Sequence, residues 1–245
     1  MCTVTFLPRE RGFQLAMNRD EQRSRPKAQP PKVHTNHGHL AVYPTEPSGG
    51  TWVAINSGGV ALALINWYSV DRRVAWQARS RGEIIPASIN ASQSSQIDAT
   101  LQKLPLRRIN PFRLIGIFPL EGTILEWRWD LKLLHLIPHR WSPRQWISSG
   151  FDEPTAQRIR SRTFRAARHQ ASAGTRNWCR RLHSSHAPSR GPFSICKHRE
   201  DAVTVSCTEI VVDGRRGEMR YHTGPPCEAA EDTNCRLSLG PRSKC

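Results

Sequence analysis

Alternating apolar and polar residues dominate this chain, and they predict strands more often than helices. Residues 2–7 and 12–17 read as two strands joined by a short charged turn, a hairpin at the start of the chain. Residues 22–39 are rich in Pro, Arg, Lys and His without an apolar period, which predicts an exposed loop. Two β-rich runs then flank Asn56-Ser57-Gly58-Gly59, a second hairpin signal. Within 82–103, Ile84, Ile85, Ile89, Ile97 and Leu101 mark one side of a helix that a Ser-rich middle interrupts.

Residues 112–118, 123–130 and 131–137 read as three successive strands, with Glu121-Gly122 turning between the first two. Residues 153–181 are helical in pattern, with Asp152 as cap, Pro154 in the first turn and Gly174 as a break. Strands follow at 193–197, 202–212 and 219–222, after which Gly224-Pro225-Pro226 opens a polar tail. Hairpin-linked strands around a helical middle argue for an α+β fold of largely antiparallel sheets packed together, with helices outside.

Composition narrows this picture. At 245 residues and 38% hydrophobic, the chain can bury a substantial core. No run reaches the roughly eighteen apolar residues of a membrane helix, and the start lacks a secretory pattern, so a cytoplasmic location is expected. The charge is +16, from 36 Lys and Arg against 20 Asp and Glu. The cations are scattered rather than aligned, densest from Arg158 to Arg190, which argues against a specific nucleic-acid track. Seven cysteines, at 2, 179, 196, 207, 227, 235 and 245, include no CxxC pair and no zinc-finger His spacing, so metal binding is disfavoured. Neither GxGxxG nor a Walker loop occurs, and no cofactor is expected. His198 and His222 are assigned ordinary surface or core roles, because no Ser-centred motif accompanies them.

Three groups of residues carry candidate chemistry. Cys2 follows the initiator Met, and removal of that Met leaves a thiol and an α-amine on one residue, a nucleophile with its own base. The alternative is a buried cysteine on a first strand. Asn18-Arg19-Asp20-Glu21 is either an ordinary polar turn or, because the hairpin returns it to the neighbourhood of position 2, a set that orients Cys2. Asn66 ends the apolar run 60–65 as a turn residue or an oxyanion donor, and Trp67 and Tyr68 beside it pack the core or wall a pocket.

The start Met-Cys-Thr, the Asn18-Arg19-Asp20-Glu21 tetrad, the Gly-Gly-Thr-Trp-Val-Ala-Ile run from Gly49 and the Trp76-Gln77-Ala78-Arg79-Ser80-Arg81-Gly82-Glu83 stretch resemble the NRDE family, that of transport and Golgi organisation protein 2. The match is dense to about residue 85. That family in turn is similar to N-terminal nucleophile hydrolases of the penicillin V acylase, bile salt hydrolase and acid ceramidase branch, and the resemblance implies a four-layer αββα sandwich. It implies Cys2 as nucleophile and base, Arg19 and Asp20 after the second strand, Asn66 at an oxyanion hole, and a later Arg. Arg158 is the best candidate for that Arg, with Arg160 and Arg162 close behind. Where the acylases place a second Asn, this chain has Ser148-Ser149-Gly150.

The expectation is a single domain over 1–228 with a polar, disordered tail over 229–245. Cys2, Arg19, Asp20, Asn66 and Arg158 are its catalytic candidates, and Asn18, Trp67, Tyr68 and Ser149 would contact substrate. The substrate would be a small-molecule amide, cleaved at a C–N bond. The alternative is a non-catalytic protein that holds a lipid, acyl or haem-like ligand, the latter functions being ones to which the family's eukaryotic members are tied.

Overall fold

In the computed structural model, which describes residues 2–36 and 39–240, β1 (Cys2–Arg9) and β2 (Gly12–Gln22) form the expected hairpin. Next come β3 (Gln29–Asn36), β4 (His39–Thr45), β5 (Val53–Asn56) and β6 (Ala61–Asn66), then the short helices α1 (Ile84–Ser88) and α2 (Ser94–Lys103). After β7 (Phe112–Phe118), β8 (Thr123–Trp129), β9 (Leu134–His139) and β10 (Arg144–Ser148) stand α3 (Glu153–Ala167) and α4 (Arg176–His183). The remaining strands are β11 (Ala202–Asp213), β12 (Arg216–Thr223) and β13 (Asp232–Ser238).

The strands form two antiparallel sheets, one ordered β10-β1-β2-β11-β12-β13 and the other β3-β4-β5-β6-β7-β8-β9. Period-two alternation sends Val4, Phe6, Phe13, Leu15 and Met17 of the first sheet between the sheets, where they meet Val53, Ile55, Ala63, Ile115 and Ile117 of the second. The opposite face of the second sheet buries Ala54, Leu62, Phe112 and Leu114 against Ile84, Ile85, Ile97 and Leu101 of α1 and α2. The opposite face of the first sheet buries Leu7 and Ala16 against Phe164, Trp178 and Leu182 of α3 and α4. The result is the four-layer αββα sandwich, with one core between the sheets and one on the outer face of each.

Local chemistry explains the turns. Asn56 Oδ1 accepts from the backbone N–H groups of Gly58 and Val60, at 2.9 and 3.0 Å, which closes the β5–β6 hairpin. Asp152 caps α3 by accepting from the Thr155 N–H at 3.1 Å, with Pro154 in the first turn. At Gly12 an added Cβ would stand 2.2 Å from the Val212 carbonyl oxygen, so only glycine lets β2 begin this close to β11.

Four expectations need correction. The loop over 22–39 contains β3, an edge strand whose Pro30 and Pro31 fall where the register shifts against β4. Residues 144–148, given no structure from sequence, are β10, the edge strand beside β1. Residues 232–238, expected to belong to a disordered tail, are β13, whose Leu237 enters the inter-sheet core at 5% exposure; residues 241–245, with Cys245, lie outside the described set. Residues 193–197, expected as a strand, are a buried connection to β11, followed by an isolated bridge from His198 to Val203. No described helix is long and apolar enough to cross a membrane.

Candidate active site

The register of the first sheet builds the site. Cys2 pairs with Arg19 on one side and with Ser148 on the other, so these three side chains share the face turned toward the second sheet. Cys2 is 7% exposed and lines a cavity of about 380 Å³ with Arg19, Trp52, Asn66 and Arg81. The N-terminal and tetrad motifs thus meet the Gly49–Trp52 and Arg79–Gly82 stretches around one space.

Arg19 is fixed from three sides. Its guanidinium lies 4.3 Å from the centre of the Trp52 ring, 2.5 Å from Glu46 Oε1 and 3.6 Å from Glu21 Oε2. Arg25 adds a second cation on Glu46, at 2.8 Å. Arg81 donates to the Pro111 carbonyl at 3.1 Å, and among the described residues no carboxylate pairs with it. Burial lowers its pKa from the usual guanidinium range. Burial likewise pushes the Cys2 thiol up; the Asp20 and Glu21 carboxylates add to this and Arg19 opposes it.

Asp20 follows Arg19 and therefore faces the helices. It accepts from Thr204 Oγ1 at 2.7 Å and from Arg160 Nη1 at 3.2 Å, and the same Arg160 nitrogen donates to Thr3 Oγ1 at 2.7 Å. Both members of this ion pair are fully buried. The helix arginine joined to the tetrad is thus Arg160. Arg158, the favoured candidate, points away into a groove with Arg162 and Arg181. Sequence spacing carried the signal, since Ala156, Arg160 and Phe164 recur every four residues on the buried stripe of α3 while Arg158 does not.

The substrate-contact candidates separate. Asn18 faces the helices too, fully buried; its Nδ2 donates to the carbonyls of His183 and Ile195 at 2.8 and 3.0 Å, so it ties α4 and the buried connection to β2. Asn66 lines the cavity, with Nδ2 donating to Tyr68 Oη at 2.8 Å. Tyr68 in turn packs on Gly150, where a Cβ would come within 3.0 Å of its ring. Trp67 lines a different cavity with Arg113 and Arg128. Ser149 turns its Oγ to the Phe151 carbonyl at 2.7 Å, also outside the Cys2 cavity. Its neighbour Ser148 is the residue beside Cys2, buried, and its Oγ has no hydrogen-bond partner among the described residues. Glu46, Trp52, Arg81 and Thr204 are additions that sequence reading did not single out as functional, and of the Ser148-Ser149-Gly150 stretch it is Ser148, not Ser149, that stands beside Cys2. Met1 lies outside the described residues.

Comparison with known proteins fits this geometry. The family model described as transport and Golgi organisation 2 matches residues 1–123. No curated protein matches the chain in sequence. Among solved structures, penicillin V acylase from Agrobacterium tumefaciens is similar over 98% of this chain and 86% of its own, at TM-score 0.56 and 12% identity. A conjugated bile acid hydrolase from Clostridium perfringens is similar over 99% of both chains, at TM-score 0.57 and 8% identity. Both are N-terminal nucleophile hydrolases, and at these identities the likeness is one of fold.

Proposed function

The chain belongs to the transport and Golgi organisation 2 family, and from that premise we propose that it is an amidohydrolase whose nucleophile is Cys2, acting on a non-peptide C–N amide once Met1 has been removed. The observation that carries this reading is the convergence of Cys2, Arg19, Asn66 and Arg81 on one cavity. In this reaction the Cys2 thiol gives its proton to its own α-amine, and the thiolate attacks the substrate carbonyl carbon. The oxyanion takes hydrogen bonds from Asn66 Nδ2 and from the Ser148 hydroxyl beside Cys2, which has no partner among the described residues. Collapse breaks the C–N bond, and the leaving amine takes the proton from the α-ammonium group. Water then attacks the thioester, returns a proton to the α-amine and releases the acid, restoring the thiol.

Asp20 supports this chemistry from the other face of the sheet. It stands one position beyond the Cys2–Arg19 pair, level with the amine that Met1 removal would expose. Arg160 and Thr204 hold its carboxylate there. Arg81, lacking a carboxylate of its own, suits a substrate that carries an anionic group. The lining is polar as well as apolar, which fits a small amide better than a lipid chain. The raised Cys2 thiol and the engagement of Asn66 by Tyr68 favour, as a second reading, a protein that holds such a ligand without cleaving it.

Intact mass before and after a limiting dose of a thiol-reactive probe separates the readings. Loss of Met1 with labelling of Cys2 ahead of Cys227 and Cys235 is expected for the hydrolase, followed by turnover of N-acyl substrates that Cys2→Ala abolishes. In that screen Arg81→Met should raise KM for anionic amides about tenfold, a loss of roughly 1.4 kcal/mol, and leave neutral ones unchanged. Retained Met1, or activity that survives Cys2→Ala, refutes the hydrolase.

A further inference from the structure

Far along the chain from the tetrad, four side chains from three segments converge: His186 after α4, Cys196 and His198 in the connection to β11, and Cys227 between β12 and β13. Their potential ligand atoms all lie within 4.8 Å of one another. His186 Nε2 is 3.2 Å from His198 Nε2, and that same His198 nitrogen is 3.6 Å from Cys196 Sγ and 3.4 Å from Cys227 Sγ.

We propose that these residues form a Cys2His2 site for a divalent transition-metal ion, with zinc as the best match. A tetrahedral zinc ion with ordinary bond lengths sets its ligand atoms about 3.3 Å apart for two nitrogens and about 3.6 Å apart for nitrogen and sulfur. The three distances follow that figure. Two thiolates and two neutral imidazoles carry two negative charges, which a divalent cation balances. Without a cation, two imidazole nitrogens face each other at 3.2 Å, where one proton at most can serve both. Linear spacing hides the site, because nine residues, one residue and twenty-eight residues separate successive ligands and no CxxC is formed.

The surroundings allow loading. Cys227 is exposed, which gives an ion a route in, and Cys196 anchors the buried side. Arg190 Nη2 stands 3.2 Å from His198 Nδ1 and also 3.7 Å from Glu228 Oε1. With Nε2 on the metal, Nδ1 carries the ring proton, so the 60% exposed Arg190 side chain turns to Glu228. The bound ion would clip together the end of α4, the entry to β11 and the β12–β13 link. Between two of its ligands sits Lys197, whose N–H donates to Thr204 Oγ1 at 2.8 Å, the hydroxyl that holds Asp20. The site therefore braces the segment that carries the Asp20 network.

The test uses the full chain, free of any His-rich tag and kept reduced, titrated with Co²⁺ and then Zn²⁺. Expected are about one Co²⁺ per chain with thiolate charge-transfer and intense tetrahedral d–d bands, their displacement by Zn²⁺, and a fall in Tm on chelation. Cys227→Ser and His186→Ala, both at accessible positions where folding can be checked by circular dichroism, should lose the tetrahedral spectrum, and Cys235→Ser should keep it. A reduced wild-type chain that binds no Co²⁺, a spectrum unchanged by Cys227→Ser and His186→Ala, or a Cys196–Cys227 disulfide that forms in place of metal uptake overturns the proposal.

Discussion

Arg160 shows how much one residue can decide. Two arginines two positions apart on α3 have opposite fates, because a helix turns about 200° between them. Arg160 buries its charge on Asp20 and Thr3, and Arg158 stays in solvent. Arg160→Met removes the Arg160 guanidinium from the buried Asp20 carboxylate and is expected to cost about 3–5 kcal/mol. Arg158→Ala should stay within about 0.5 kcal/mol of the wild type. Denaturant unfolding of the two variants compares them directly; equal losses would mean that the Asp20 pair is not structural. Charge counting could not separate the two arginines, whereas the four-residue stripe through Ala156 and Phe164 could. For Cys2, Arg19 and Asn66 the strand pattern and the family resemblance pointed to residues that the fold brings to one cavity. They said nothing of Glu46, which reaches the site through tertiary approach, and they marked the Ser148-Ser149-Gly150 stretch without singling out Ser148, which strand pairing sets beside Cys2.

At the scale of elements, the interior strands other than β4 were legible, and the remaining missed ones were edges. β3, β10 and β13 each have a partner on one side only, so they need no continuous apolar face and carry Pro, Arg, Asp or Lys instead. The helices were readable from caps and breaks, but what α4 does was not. Its His183 is buried, with Nδ1 facing Asn18 Oδ1 and Nε2 facing Thr5 Oγ1, both at 2.9 Å. Burial lowers the His183 pKa to about 3; Asp20 opposes this and Arg160 adds to it. The unfolded imidazole titrates near 6.5, so between about 6.5 and 3 the unfolded chain binds more protons. The contribution of this residue is therefore complete above pH 6.5 and is lost as the pH falls toward 3. By pH 4.5 the loss should reach about 2–3 kcal/mol. Urea midpoints at pH 7 and pH 4.5 should show His183→Gln, weaker at pH 7, with a smaller acid loss than wild type; the same loss in both would remove His183 as the source.

For the whole molecule, the two sheets are locked at β13 as well as along the core. Leu237 sits between them, and Cys235 Sγ donates to the Pro31 carbonyl of β3 at 3.1 Å. Leu237→Ala should cost about 2–5 kcal/mol, if the last strand is as much part of the core as the first. A loss below about 0.5 kcal/mol on thermal or chemical unfolding would return this segment to the status of a tail.

The N-terminal hairpin does not pair with its own neighbours in sequence alone. β2 needs β11, and β1 needs β10, so the centre of the first sheet joins residues such as Gln14 and Val211. During synthesis at about 5–20 residues per second, the hairpin waits roughly 10–40 s for its partner strand to emerge. For that interval its apolar faces are open to chaperones and to misfolding. On the proposed mechanism the same interval is the opportunity for a processing enzyme to take Met1, before Cys2 is sealed between its neighbours. A chain refolded with Met1 still attached would then be a complete fold that missed its moment of activation.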